Sequence, residues 1–279
     1  MKISIITIGD EICIGQIINS NAAWIANQCT MTGAQVILHS TVGDEKSAII
    51  GEIERLSAVS DMLILTGGLG PTHDDITKET LIDYYNDKLQ LDEKTLALLK
   101  TRYEKRGMIL NERNQLQAML PSKCRVLSNS VGSAPGMLFD ENGKILISLP
   151  GVPMEMKDIM TKHVIPFIKR SIEKAKDEIV LYKNILTAGI PESNLADLLG
   201  EPDNFLGDCS LAFLPSYQGV RLRIGVKNKD VLICSEKLDQ VKKYIESKAG
   251  KYIFGYDDDS LASACGMELI RRNKTLAVA

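Results

Sequence analysis

The six cysteines, at 13, 29, 124, 209, 234 and 265, form no Cys-x-x-Cys pair and show no zinc spacing. That excludes a zinc ribbon, and in a chain of 279 residues it argues against a disulfide framework. The cysteines read instead as buried apolar residues in a reducing compartment. A signal core or membrane span is missing too. The apolar run Ile3–Ile8 contains Ser4 and Thr7 and is soon followed by Asp10 and Glu11. A cytoplasmic protein with no membrane partner is expected. Strong charge of either sign is also lacking: a formal charge of −3 gives no general attraction to nucleic acid. No internal repeat or low-complexity tract is visible. What remains is ordinary globular composition, 44% hydrophobic and 25% charged, at a length that suits two domains or two and a fragment.

The first 80 or so residues alternate strand and helix. Ile3–Ile8, Gln35–Ser40 and Met62–Thr66 read as strands, the first and third buried on both faces. Asn19-Ser20-Asn21 can cap a helix through Trp24, Ile25 and Cys29, and Gly43-Asp44 starts another carrying Ile49, Ile50, Ile53 and Leu56. This order predicts a mostly parallel sheet with right-handed crossovers in a three-layer α/β/α domain over 1–170. Helices are expected at Thr95–Arg106, for a turn or two at Asn111–Met119, and at Met154–Arg170, where Pro166 bends or ends it. Val126–Leu127 and Ile145–Leu149 supply later strands. Ser171–Glu178 reads as a charged linker into a smaller α+β domain over 171–252. Its strands are Ile179–Ala188 and Val220–Val226, and its helices are Glu192–Leu199 and Glu236–Lys248. Residues 253–279 read as a hinge at Asp257–Ser260, a helix Leu261–Arg271 and a strand at 274–279 cut off at the chain end.

Six segments could carry chemistry. Met62–Thr66 runs into Gly67-Gly68-Leu69-Gly70-Pro71-Thr72, the way α/β proteins present backbone N–H groups to a phosphate at strand carboxyl ends. The loop matches neither the P-loop nor the dinucleotide fingerprint. Asp74 and Asp75 follow in what reads as the first turn of a helix, where hard oxygen donors can hold a divalent metal against a phosphate. For Asp75 a capping box with Thr72 is the competing reading. His73 reads as a solvated helix-start residue, and Asp44 as a cap. Asp10-Glu11, at the end of the first strand, falls on the same side of the sheet and can share a metal or orient a water. The Gly/Pro segments 129–136 and 149–155 supply further stiff loops. Asn111, Arg113, Asn114, Gln115 and Gln117 offer donors for a phosphate or base, or simply form a solvated helix face. Arg221 and Arg223 alternate on what reads as a surface strand.

Together these motifs resemble the CinA family, the competence/damage-inducible proteins, whose N-terminal domain is similar to the MoaB/MogA molybdopterin-binding type. The matching pieces are GDEICIGQIINSN (9–21), TVGD (41–44), TGGLGPTHDDITKE (66–79), NQLQA (114–118), NSVGSAPG (129–136) and LPGVPMEM (149–156). The resemblance implies a MoaB/MogA-like fold over 1–170 and a KH-like middle domain without a GxxG loop of the nucleic-acid-binding kind. It also implies a homodimer, and a divalent-metal-dependent pyrophosphatase that splits ADP-ribose into AMP and ribose 5-phosphate, with Mg, Mn or Co as the metal. Carried over by position, Glu11, Asp74 and Asp75 are the catalytic and metal residues. Gly67, Gly68, Gly70, Thr72, Asn114, Gln117, Ser133, Pro150 and Gly151 bind substrate. Gln115 and Leu116 stand where many members carry basic residues, and Ser133 where they carry Thr. The family's last domain, an amidase acting on nicotinamide mononucleotide, has its nucleophile motif after a strand resembling KTLAVA, where this sequence stops, so that activity is not expected. A non-catalytic scaffold that binds molybdopterin or a nucleotide is the alternative.

Overall fold

The structure, a computed structural model, describes residues 1–175 and 178–277. The chain divides between Ala175 and Lys176 into two compact units.

The first unit is built on a six-stranded sheet. Its chain order is β1 (Lys2–Ile8), α1 (Asp10–Cys13), α2 (Ser20–Met31), β2 (Gln35–Val42), α3 (Lys46–Ser57), β3 (Met62–Thr66) and α4 (Thr77–Tyr84). A small hairpin of β4 (Leu89–Leu91) and β5 (Met119–Pro121) brackets α5 (Glu93–Lys105) and α6 (Glu112–Gln115). Then come β6 (Arg125–Leu127), β7 (Gly136–Glu141), β8 (Lys144–Leu149), α7 (Pro153–Ile159) and α8 (Ile165–Ala175). The sheet order is β2-β1-β3-β8-β7-β6. Its β2, β1, β3 and β8 are parallel, and β7 and β6 are antiparallel, which is the mostly parallel α/β arrangement expected.

Burial explains the layering. Every residue of β3 is buried, as are the last six of β1, so both faces of these strands need helices. One layer holds α3 and α4; α2 with α7 and α8 forms the other. Ile6, Ile53, Leu65 and Phe139 belong to one core cluster, and Tyr85 stacks on Phe139 with ring centroids 4.3 Å apart.

The structure corrects several local expectations. Strand β7 is absent from the sequence reading. It pairs with β8 through Asn142-Gly143, both at positive φ, the backbone that a two-residue hairpin requires. No helix ends at Pro166, and residues 171–175 are not linker. A π-helical turn at Met160–Val164 absorbs the missing N–H, and α8 then continues because Ile168 and Ile172 keep burying one face. Residues 176 and 177 of the expected linker lie outside the described residues. Asp44 does not start α3, whose first residue is Lys46. Helix α4 starts only at Thr77, so Asp74 and Asp75 lie in a turn ahead of it. Cys29, Cys209 and Cys234 are buried, but Cys13 and Cys265 are exposed and all six are free.

The second unit carries an antiparallel sheet of β9 (Ile179–Thr187), β10 (Ser210–Ser216), β11 (Gly219–Asn228) and β12 (Ile253–Tyr256), in the order β10-β11-β9-β12. Of these, β10 and β12 were not read from the sequence. Helices α9 (Glu192–Leu199) and α10 (Val231–Ala249) cover one face, burying Leu195, Leu199, Val241 and Ile245 against Ile185 and Leu222. Arg221 and Arg223 alternate with buried Val220, Leu222 and Ile224, and Arg223 lies over the Tyr182 ring. Ser260 caps α11 (Leu261–Arg271) in a reciprocal capping box with Ser263. Residues 274–277 form no strand, and 278 and 279 lie outside the described residues. Among the described residues no helix is long and apolar enough to cross a membrane.

Because β3 sits between β1 and β8 with Ile64 wholly buried, Ile64→Ala should cost about 2–5 kcal/mol in a urea titration, through lost transfer energy and the cavity left behind.

Candidate functional site

Parallel strands end on one edge of a sheet, so the turns after β1, β2, β3 and β8 meet there. They enclose a cleft of about 440 Å³. Its walls come from Gly9 and Glu11 after β1, Asp44 after β2, Gly67, Gly68, Gly70, Asp74 and Asp75 after β3, Pro150, Gly151 and Glu155 after β8, and Ser133-Ala134 ahead of β7. Ile17 and Ile18, leading into α2, give it an apolar rim; Ile18 is 91% exposed.

The glycine loop is dictated by contact. Gly67 has φ +118°, and a Cβ there would fall 2.1 Å from the carbonyl oxygen of Ile8. Gly68 has φ +65°, and its Cβ would meet the Thr77 hydroxyl at 2.1 Å. That space is used: the Thr77 hydroxyl donates to Gly67 O at 3.0 Å, and Thr77 N donates to Gly68 O at 3.1 Å. These two bonds fix where α4 begins.

A second set of bonds ties β3 to β8 and α2. The Thr66 hydroxyl donates to Pro150 O at 3.0 Å. The Asn21 amide donates to Gly151 O at 2.7 Å and to Thr66 Oγ1 at 3.2 Å. Asn21 lines the cleft, and its Oδ1 is buried without a hydrogen-bond partner. Asn19 caps α2 through Ala22 N and donates to Thr7 Oγ1 at 2.9 Å.

The two adjacent aspartates have different roles. Asp75 accepts from Gly70 N at 2.8 Å and Thr72 N at 2.9 Å, and the Thr72 hydroxyl donates to it as well. Half of the capping-box reading therefore holds, but it closes a turn and not a helix. Asp74 is exposed; the Thr72 hydroxyl and its own backbone N–H hold its carboxyl below the usual value. Asp44 and Asp10 exchange bonds: Asp10 N donates to Asp44 Oδ2 at 3.0 Å, and Asp44 N to Asp10 Oδ1 at 3.2 Å. Asp44 thus caps α1 from another loop. Burial pushes its carboxyl up, partly offset by the Asp10 N–H, and Asp10, Glu11 and Asp74 add to the rise. Crowded carboxylates of this kind disfavour one another's ionised form.

Of the residues singled out from sequence, Glu11, Gly67, Gly68, Gly70, Asp74, Asp75, Ser133, Pro150 and Gly151 line this cleft. Thr72, Asn114 and Gln117 do not. Thr72 supports Asp75 from outside, Asn114 closes a turn on Asn111 Oδ1, and Gln117 is buried. Asn21, Asp44 and Glu155 line the cleft and were not chosen as site residues. The signal for Asp44 was its place after a strand, beside Gly43. For Glu155 there was only its position in the LPGVPMEM segment.

Five lining residues are carboxylates (Glu11, Asp44, Asp74, Asp75 and Glu155), and among the described lining residues none is Lys, Arg or His. Among the described residues no three His, Cys, Asp or Glu side chains gather as a ready metal cage.

Residues 4–170 match the family model described as a probable molybdopterin binding domain, and 182–255 match that of the damage-inducible protein CinA KH domain. The chain is 38% identical over 276 residues to a CinA-like protein of Cytophaga hutchinsonii, covering 99% of this chain and 65% of that protein. It is 39% identical over 284 residues to a CinA-like protein of Flavobacterium psychrophilum, spanning 67% of that protein. Among solved structures, the CinA protein of unknown function from Thermoplasma acidophilum is 36% identical with a TM-score of 0.53. That match covers 62% of this chain and 96% of the other.

The division of labour between the two aspartates can be measured. Asp75→Ala should lower stability by about 1–3 kcal/mol in chemical denaturation, because two backbone N–H groups lose a charged acceptor. Asp74→Ala should leave the denaturation midpoint nearly unchanged.

Proposed function

The chain belongs to the CinA family, and on that premise we propose that the strand-end cleft binds ADP-ribose with a divalent cation and hydrolyses its pyrophosphate to AMP and ribose 5-phosphate. The observation that carries this reading is the imbalance of charge in the cleft: five carboxylates and, among the described lining residues, no basic side chain. A pyrophosphate entering alone would be repelled, whereas a cation between ligand and protein reverses the sign.

The residues fit a cation that the ligand helps to hold. Mg²⁺ commonly takes one or two carboxylates together with substrate phosphate oxygens and water, so the lack of a three-residue cage among the described residues is no obstacle. Asp74 and Glu11 are the residues proposed to hold it. Asp75 is reassigned from ligand to loop staple, since both its oxygens already accept bonds from the loop. When bound, such a cation neutralises phosphate oxygens and favours attack at phosphorus.

The chain's own groups do the rest. The Gly67, Gly68 and Gly70 backbone lines the cleft, where its polar groups can meet a phosphate. Ile17 and Ile18 offer an apolar shelf for a base. Glu11 is proposed to accept the proton of the attacking water as its oxygen bonds to phosphorus; the P–O–P bridge breaks, and the bridging oxygen leaves on the other phosphate.

One observation favours a second reading, the non-catalytic binding module: Gln115 and Leu116 stand where many members of the family carry basic residues. Incubation with ADP-ribose and Mg²⁺, Mn²⁺ or Co²⁺ separates the two. The hydrolase reading expects AMP to accumulate and Asp74→Ala to slow its formation on the order of a hundredfold. Tight binding without product in any of the three metals supports the module instead.

A further inference from the structure

Glu155 is a carboxylate held in place for a ligand. We infer that it is the residue that recognises the sugar of the bound nucleotide, accepting a hydrogen bond from a ribose hydroxyl. This rests on the reading of the cleft as a nucleotide site, not on hydrolysis taking place there.

Glu155 stands in the first turn of α7 and lines the cleft, half-buried. One oxygen, Oε2, accepts from the Asn129 amide at 2.5 Å. Asn129 is itself 6% exposed and fully committed. Its Nδ2 also donates to Ala134 O at 2.8 Å, and its Oδ1 accepts from Val131 N at 2.9 Å and Gly132 N at 2.7 Å. All four hydrogen-bonding positions of that amide are therefore used, and its orientation follows from them. The loop also has no side chain where it passes the carboxylate, since a Cβ on Gly132 would lie 1.8 Å from Glu155 Cδ. The Asn129 amide thus fixes the carboxylate, and the bare Gly132 leaves it the room.

The carboxylate offers an acceptor in a fixed place to whatever occupies the cleft. Its chemistry limits what that can be. A carboxylate repels phosphate and accepts from donors, so the group that meets it is a hydroxyl or an amino group and not the pyrophosphate. The surroundings decide between these two. Glu155 shares its wall with Ser133, a second polar group, whereas the apolar shelf that suits a base is formed by Ile17 and Ile18. The sugar lies against Glu155 and Ser133, and the base against the isoleucines.

The test is equilibrium binding by calorimetry, with Mg²⁺ present, of four ligands whose P–O–P bridge is replaced by a non-hydrolysable methylene bridge: the ADP-ribose analogue, the forms of it lacking the 2′-hydroxyl of either ribose, and the form with hypoxanthine in place of adenine. Wild type should bind one deoxy form about tenfold more weakly than the ADP-ribose analogue, the size of one charge-assisted hydrogen bond. In E155A that difference should vanish. E155Q keeps an acceptor for Asn129, so it should retain the folded loop and the wild-type melting temperature while losing most of the discrimination. Discrimination against the hypoxanthine ligand that disappears in E155A would overturn the assignment in favour of the base. Equal weakening of all four ligands in both variants would reduce Glu155 to loop support. If wild type binds but never turns over ADP-ribose itself, the hydrolase reading fails and this one stands. If wild type binds none of the four, both fail.

Discussion

The strand-end cleft of the first unit depends on one electrostatic constraint: carboxylates collected at the ends of parallel strands with no basic side chain among the described lining residues. The fold brings this about because β1, β2 and β3 run the same way, so the acidic turns that follow them cannot avoid one another. Asp44 registers the crowding, its carboxyl raised by burial and by Asp10, Glu11 and Asp74. The site tolerates the repulsion by spending backbone N–H groups on two of the acids, Asp75 through Gly70 and Thr72, and Asp44 through Asp10. Asp74 and Glu11, which also line the cleft, are the acids proposed to meet the cation.

The glycine loop joins this electrostatic arrangement to the packing. Gly67 lies so close to the end of β1 that any side chain would strike Ile8 O, and Gly68 leaves the Thr77 hydroxyl room to bond the loop carbonyl. Thr66, Asn21 and the carbonyls of Pro150 and Gly151 lock the neighbouring turn to the same edge. The cleft is therefore positioned by buried hydrogen bonds between successive strand ends, and its acidic wall cannot relax by moving apart.

Much of this was legible in the sequence. The apolar runs Ile3–Ile8 and Met62–Thr66 announced buried strands, and the glycines after the second announced a turn that needs positive φ. The start of α4 was not legible. Thr72-x-x-Asp75 has the local pattern of a helix cap, yet the helix waits for Thr77, whose bonds to Gly67 and Gly68 exist only in the folded unit. Asn114 and Gln117 were chosen for their polarity and by resemblance, and neither says which way a turn faces. Asn21 and Glu155 were passed over because their roles come from partners 130 and 26 residues away in sequence, Gly151 and Asn129. Strand β7 was missed although Asn142-Gly143 marked its hairpin. The π-helical turn before Pro166, which lets α8 continue, left no comparable mark.

The central claim is that the cleft accepts a polyanion only together with a divalent cation. The most direct measurement is the dissociation constant of the methylene-bridged, non-hydrolysable analogue of ADP-ribose by equilibrium dialysis, in excess chelator and in millimolar Mg²⁺ or Mn²⁺. The account predicts at least about a hundredfold tighter binding with the metal, and by thermodynamic reciprocity the same factor for the metal when ligand is present. Equal affinity in chelator and in metal would contradict it.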